Sequence, residues 1–139
     1  RISLLEVIEH IYPAQARLLL TPCLDLLKPG GRLVISTPNR RSLWPLLEWT
    51  VDRLRLVPTM DGEQHVADYD AGALRDLGES VGLTLIETRR LFTASPWVTP
   101  LSWRLGERVH SLEQSLGGPL GALLVQSFDK PMGGPRPGP

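Results

Sequence analysis

Three ionisable side chains, Glu6, Glu9 and His10, lie within the otherwise apolar segment SLLEVIEHI. If this segment forms a helical turn, positions i, i+3 and i+4 share a face, so the three groups converge there. Two carboxylates spaced in this way repel each other unless a cation lies between them. Three interpretations follow: acidic residues that complement a helix dipole, a site for Mg²⁺ or another divalent cation, and a metal-free general base at His10.

The elements around these groups must position them. Arg1–Leu5 is predicted to be a short buried strand, and Ala14–Leu27 a helix that Pro22 kinks or divides. A Pro-Gly-Gly turn then leads into a buried, β-branched strand at Arg32–Thr37. The remaining predicted elements are helices at Arg40–Val57, Asp70–Val81 and Pro100–Leu116 and strands at Thr84–Leu91 and Leu120–Phe128. This alternation predicts an α/β domain with a largely parallel sheet.

Composition excludes several classes of protein. The 139 residues carry a formal net charge of zero, so no nucleic-acid partner is expected. The single cysteine, Cys23, lies in a leucine-rich stretch; we expect a buried thiol and a cytoplasmic protein. No apolar run approaches the roughly 20 residues that span a bilayer. The chain begins at Arg1 with a strand-like run, and we expect it to be the C-terminal part of a longer protein.

The motif EVIEH, followed by LLKPGGRLVISTPN, resembles the second half of class I S-adenosylmethionine-dependent methyltransferases, such as the ubiquinone-biosynthesis O-methyltransferases. The resemblance implies a partial Rossmann-like fold that contains the fourth to seventh strands of the family's sheet and lacks its N-terminal half. The last two strands would be antiparallel to their neighbours. Residues 1–130 would form this part of the domain, with lid insertions at about 40–65 and 97–118, and residues 131–139 a disordered tail.

The same resemblance implies roles for individual residues. In some of these methyltransferases, including quinone and small-RNA enzymes, a matching Glu-x-x-Glu-His ligates a divalent metal beside the reacting hydroxyl, which assigns Glu6, Glu9 and His10. Leu5, where the first strand ends, would line the S-adenosylmethionine pocket, although an ordinary core leucine fits equally well. Asn39 and His65 would bind the substrate, a small-molecule methyl acceptor, or else belong to a plain turn and a solvated loop. By resemblance to the small-RNA enzymes, His65 is also a possible fourth metal ligand.

One departure from the family pattern bears on function. No strand is followed by the glycine-rich turn that holds the cofactor's amino-acid end in this family. The first strand would consequently lie at an exposed sheet edge. Two functions remain open: methyl transfer to an oxygen, nitrogen or carbon of a small molecule, and a non-catalytic remnant that pairs with another chain. Tryptophan and arginine residues in both lids also allow peripheral membrane contact.

Overall fold

A four-stranded mixed sheet organises the computed structural model, which describes residues 1–42, 53, 66–116, 118 and 120–133. The strands follow the order β1-β2-β4-β3 across the sheet. Their bounds are β1 Ile2–Leu5, β2 Arg32–Pro38, β3 Thr84–Leu91 and β4 Leu123–Asp129. The described residues thus form an α/β fold with the partial, Rossmann-like character that the sequence predicts.

Strand directions agree with the predicted topology in part. β1 and β2 pair in parallel, with Leu5 opposite Ser36. β4 is antiparallel to both β2 and β3, as predicted for the last two strands, so β3 runs in the same direction as β2. Only one of the three pairings is therefore parallel, and the prediction of a largely parallel sheet is wrong at the level of pairing. Among the described residues, β1 is an edge strand, as expected.

Four helices accompany the sheet in the described ranges. They are α1 Pro13–Leu26, α2 Ala71–Ser80, α3 Ser95–Val98 and α4 Trp103–Leu116, with a short 3₁₀ helix at Ile8–His10. The prediction missed α3, and the helix predicted from Pro100 begins at Trp103. Most of the helix predicted at Arg40–Val57 lies outside the described residues. Within those residues, no helix is both long and apolar enough to cross a bilayer.

Helix α1 buries a narrower face than its leucines suggest. Ala16, Leu20 and Cys23 face the core, and burial raises the pKa of the Cys23 thiol. Two of its leucines, Leu18 and Leu26, are 71% and 79% exposed. Pro22 lies on the exposed side, where water can bind the carbonyl that lacks an N–H partner. The helix accordingly continues through Pro22 without division.

Alternate residues of the central strands form the sheet's part of the core. Leu33 and Ile35 of β2 and Leu124 and Phe128 of β4 are fully buried, as period-two alternation requires. Leu74 of α2 and Leu20 of α1 belong to the same cluster. The two helices therefore share one core with the sheet.

Helix α2 is bounded as the sequence predicts. Asp70 caps its start, because its Oδ1 accepts a hydrogen bond of 2.9 Å from the Ala73 N–H. Gly82 follows its end with a φ of 94°, a left-handed conformation that glycine adopts without strain. Tyr69 immediately precedes the cap, so the docking of α2 also sets the position of this tyrosine.

Candidate functional site

Several polar groups lie at the carboxyl ends of β1 and β2. β1 ends at Leu5, whose side chain is 60% exposed. The next residue, Glu6, has a φ of 52°, which turns the chain away from the strand direction. Its N–H donates to the Ser36 carbonyl at 3.2 Å and so continues the β1–β2 ladder by one residue. Ligands of open α/β sheets bind beyond such strand ends.

Glu9 is the most deeply buried ionisable residue of the predicted trio. The 3₁₀ helix that carries it is anchored by Ile8, which is fully buried, and the Glu9 side chain is only 2% exposed. Its Oε2 accepts a hydrogen bond of 3.1 Å from the Thr37 hydroxyl. Its backbone carbonyl accepts from the N–H groups of Val66 and Ala67 at 2.9 and 3.1 Å. The start of the segment after residue 65 therefore lies against the backbone of Glu9.

Tyr69 lies beside this buried carboxylate. It is 7% exposed, and its hydroxyl has no hydrogen-bond partner among the residues described by the structure. Burial raises the pKa of Tyr69, and the negative charge of Glu9 raises it further. A buried phenol that is left with unused hydrogen-bonding capacity is unusual. Tyr69 could therefore donate to a ligand or a water molecule at this end of the sheet.

His10 links the buried carboxylate to the surface. Its side chain is 46% exposed, and its Nε2 lies 4.0 Å from Oε1 of Glu9. This distance permits electrostatic attraction but exceeds the length of a hydrogen bond. A buried carboxylate next to a half-exposed imidazole can orient the ring by electrostatic attraction. The pair has the composition of a general base with its supporting acid group.

Glu6 does not join the other two residues. Its positive φ takes it out of the helical conformation on which the predicted shared face depended, and the helical turn covers only Ile8–His10. Its Oε1 instead accepts a hydrogen bond of 2.6 Å from the Ser36 hydroxyl. No group of three or more His, Cys, Asp and Glu side chains in the described ranges is placed to hold a metal ion. Among the described residues, Glu6 therefore lies apart from Glu9 and His10, and the metal site predicted from the three stays a prediction.

The two predicted substrate-binding residues have different outcomes. Asn39 is 3% exposed, and its Nδ2 donates to the Gly121 carbonyl at 2.8 Å while its Oδ1 accepts from the Arg41 N–H at 3.2 Å. Its side chain thus links the end of β2 to the segment before β4, and these contacts fit the alternative role of Asn39, a structural residue in a turn. His65 lies outside the described residues.

Sequence reasoning did not identify Thr37 or Tyr69. Thr37 belongs to the predicted strand Arg32–Thr37 and was treated only as part of a buried β-branched run. Alternation along β2 places it on the core face with Leu33 and Ile35, which was a usable signal that its hydroxyl needs a buried partner. Tyr69 follows the undescribed segment, and its approach to Glu9 could not be derived from spacing alone.

Comparison with known proteins places this arrangement in a family. The family described as "Methyltransferase domain" matches residues 1–88, which is more than half of the chain. The chain therefore belongs to this methyltransferase family, and the matched region includes Glu9, His10, Thr37 and Tyr69. No curated protein sequence matches the chain.

Solved structures with similar folds are also methyltransferases. A SAM-dependent methyltransferase from Archaeoglobus fulgidus superposes with a TM-score of 0.55 at 18% identity, over 92% of this chain and 57% of that one. The small-RNA methyltransferase HEN1 gives a TM-score of 0.53 at 20% identity, over 98% of this chain and 14% of that one. At these identities the likeness concerns the fold alone. The chain spans just over half the length of the first protein and about a seventh of the second.

Proposed function

We propose that this chain provides the acceptor-activating part of a methyltransferase that uses S-adenosylmethionine and methylates an oxygen of a small molecule. Family membership supports the reaction type. The exposed Leu5, at the carboxyl end of β1, fits contact with an apolar part of the cofactor. The proposal follows the predicted role for a C-terminal half of the domain, in which residues outside this chain supply the glycine-rich turn.

In this mechanism His10 acts on the acceptor. The imidazole takes the proton of the acceptor hydroxyl, and Glu9 stabilises the positive charge that forms on the ring. S-adenosylmethionine, when bound beyond the end of β1 near Leu5, would supply an electrophilic methyl group for the acceptor oxygen. Tyr69 donates a hydrogen bond on the same side and helps to orient the acceptor. No step requires the metal ion that the resemblance implied.

One observation carries the proposal: a glutamate that is 2% exposed lies at a strand end, 4.0 Å from a half-exposed histidine. Burial of a carboxylate without partners costs free energy of folding. Among the contacts described, the Glu9 carboxylate accepts a single hydrogen bond, from the Thr37 hydroxyl. Strongly desolvated ionisable groups beside a sheet's carboxyl edge are candidates for functional residues. A solvated face that merely complemented a helix dipole would not need the burial of Glu9.

The experiment is titration calorimetry with S-adenosylmethionine, followed by methyl-transfer assays against a panel of phenols and alcohols. The protein used is the chain with all native residues that precede Arg1. We expect cofactor binding in the wild type and in His10→Gln, with methyl transfer lowered about 10²-fold or more in the variant, since general-base catalysis contributes about 10²–10⁴-fold. Unchanged transfer in His10→Gln would remove this role for the histidine.

The alternative function is a methyltransferase-like interaction module that binds no cofactor. The absence of a glycine-rich turn after any strand of residues 1–139 favours it over an enzyme formed by this chain alone. If the protein with all native preceding residues shows no affinity for S-adenosylmethionine, the enzyme proposal fails and the module remains. Affinity for the cofactor would exclude the module.

We also propose peripheral membrane contact through α4 and the residues before it. Large apolar side chains in this region face outward in the described structure: Leu101 is 84% exposed and Trp103 is 68% exposed. Arg104 and Arg108 follow on the same helix, a composition that suits an anionic lipid surface. Leu101→Glu should reduce recovery in flotation with anionic vesicles, and Leu18→Glu on α1 is the matched control. No flotation of the wild type would contradict the proposal.

A further inference from the structure

A cleft of about 590 Å³ lies between α3 and α4, beside the end of β3. Its volume is within the range of about 300–1,000 Å³ that is usual for small-molecule sites. Most of its wall is apolar, with side chains from Phe92, Pro96, Pro100 and Trp103. At Gly106, which also lines the cleft, a Cβ atom would lie 2.4 Å from the Thr99 hydroxyl oxygen. The close packing of the two helices therefore depends on this glycine.

The polar side chains that line the cleft are engaged by the protein itself. The Ser95 hydroxyl donates to the Glu113 carboxylate at 2.8 Å, and the Thr99 hydroxyl donates to the Ser95 carbonyl at 2.7 Å. The Nε2 atom of His110 lies 2.8 Å from the Gln114 amide nitrogen, and its Nδ1 atom is buried. A polar ligand group placed among them would lose its hydrogen bonds to water without replacement. The cleft therefore favours a ligand segment that is wholly apolar.

A charged pocket of about 450 Å³ adjoins the cleft on α4. It is lined by Arg104, Glu107, Arg108 and Ser111, and Glu107 lines the cleft as well, so the two spaces are contiguous. Arg104 and Arg108 are four residues apart and share one face of the helix. Among the described residues, neither arginine takes part in an ion pair. Two guanidinium groups against one carboxylate give the pocket a net positive charge, which suits an anion.

We propose that the cleft and the charged pocket together bind one single-chain amphiphile, with its alkyl chain in the cleft and a phosphate head group on Arg104 and Arg108. Burial of the chain against apolar walls stabilises the complex. The planar guanidinium groups match the oxygens of a phosphate, and two that are one helical turn apart can reach the same head group. Glu107 repels this head group, so its charge sets a limit on the affinity. The binding rests neither on the proposed function nor on contact with a bilayer.

The length of the alkyl chain tests the cleft. The experiment is equilibrium dialysis of the protein against octyl phosphate and decyl phosphate, each below its critical micelle concentration. Each buried methylene should lower Kd about fourfold, so decyl phosphate should bind about 15-fold more tightly than octyl phosphate. Trp103→Ala removes part of the wall and should weaken binding of decyl phosphate. Leu112→Ala is the matched control, since Leu112 is an exposed apolar residue of the same helix that does not line the cleft.

The charge of the head group tests the arginines. An exposed ion pair changes Kd by about 1.4- to 5-fold, so Arg104→Gln/Arg108→Gln should weaken decyl phosphate by about 2- to 30-fold. The same double variant should not weaken decyltrimethylammonium, which has a cationic head on the same chain. Glu107→Gln removes the repulsion and should tighten decyl phosphate. The control is Arg75→Gln/Arg89→Gln, which removes the same charge from α2 and β3 and should leave binding unchanged.

Each outcome supports or overturns the proposal, with far-UV spectra to show that the variants are folded. No binding of decyl phosphate below its micelle concentration, or binding to anionic vesicles only, overturns it. Equal affinity for the two chain lengths, or unchanged binding in Trp103→Ala, overturns the placement of the chain. An equal loss in the two double-arginine variants overturns the placement of the head group. If decyl phosphate binds as expected but the complete protein transfers no methyl group, only the proposed function fails.

Discussion

Replacing Thr37 with valine tests how strongly the buried carboxylate of Glu9 depends on one hydroxyl. Thr37 is fully buried, and valine has nearly its shape, so the change removes the hydrogen bond of 3.1 Å without opening a cavity. Hydrogen bonds to charged groups contribute about 1.5–3 kcal/mol. Because the Glu9 side chain is 2% exposed, water cannot replace the lost donor. We expect the free energy of unfolding to fall by about 2 kcal/mol.

The assay is equilibrium unfolding in urea, followed by far-UV circular dichroism. With a slope of about 2 kcal/mol per molar urea, Thr37→Val should lower the midpoint by about 1 M. Thr37→Ser is the matched control, since it keeps the hydroxyl and loses one methyl group, which costs about 1 kcal/mol. The urea midpoint should therefore be highest for the wild type, lower for Thr37→Ser and lowest for Thr37→Val, although valine buries more apolar surface than serine.

A second variant separates the carboxylate from general packing effects. In Glu9→Leu/Thr37→Val both partners are apolar, and replacing both members of a buried polar pair can be nearly neutral. The double variant should therefore unfold at a higher urea concentration than Thr37→Val alone. A midpoint for Thr37→Val at or above that of Thr37→Ser would refute the reasoning, because it would mean that the carboxylate does not need this donor.

Two further predictions concern the framework. A Cβ at Gly78 would lie 2.4 Å from Cε1 of the buried Phe128, whereas a Cβ at Gly72 on the same helix would lie 3.3 Å from its nearest neighbouring atom. Both substitutions by alanine gain similar helix propensity. Gly78→Ala should therefore be less stable than Gly72→Ala by about 1–3 kcal/mol in urea unfolding. Equal stability of the two would contradict the packing described. Burial alone would raise the pKa of Glu113, but hydrogen bonds from Ala94 and Ser95 outweigh it, so the pKa lies below the ordinary 4.5. The Glu113 carboxylate therefore contributes stability above pH 4.5 that is lost as the pH falls through its lowered pKa. In thermal unfolding over that acidic range, Glu113→Gln should lose less stability than the wild type. Identical dependence of stability on pH in the two proteins would contradict this.

The strands were the most predictable part of the fold. Arg32–Thr37 and Thr84–Leu91 match β2 and β3 closely, because β-branched and apolar residues between turn signals leave few alternatives. The packing of the helix predicted at Pro100–Leu116 was less predictable. Leu101, Leu105 and Leu112 recur at helical spacing, but periodicity does not show whether such leucines pack on the domain, and in the structure all three are exposed.

The candidate site was predictable in two of its members, Glu9 and His10, but not in Thr37, Tyr69 or its geometry. Glu9 and His10 stand out as ionisable residues in an apolar segment, and the structure does bring them together. Glu6 was misplaced because nothing in the sequence indicates that a glutamate adopts a φ of 52°. A helix end also favours a nearby cation, and at the end of α1 Lys130, distant in sequence, donates to the Leu24 and Leu27 carbonyls at 2.8 Å. Local rules identify the need for a cation there, but tertiary contacts decide which one supplies it.

The strand order has a consequence for synthesis of the protein. β4 is the last strand of the described residues, yet it lies between β2 and β3 and pairs with both. In the described sheet, β3 therefore has no hydrogen-bonded neighbour until β4 has been synthesised. A chain truncated before residue 123 should expose unpaired edges of β2 and β3 to chaperones and proteases.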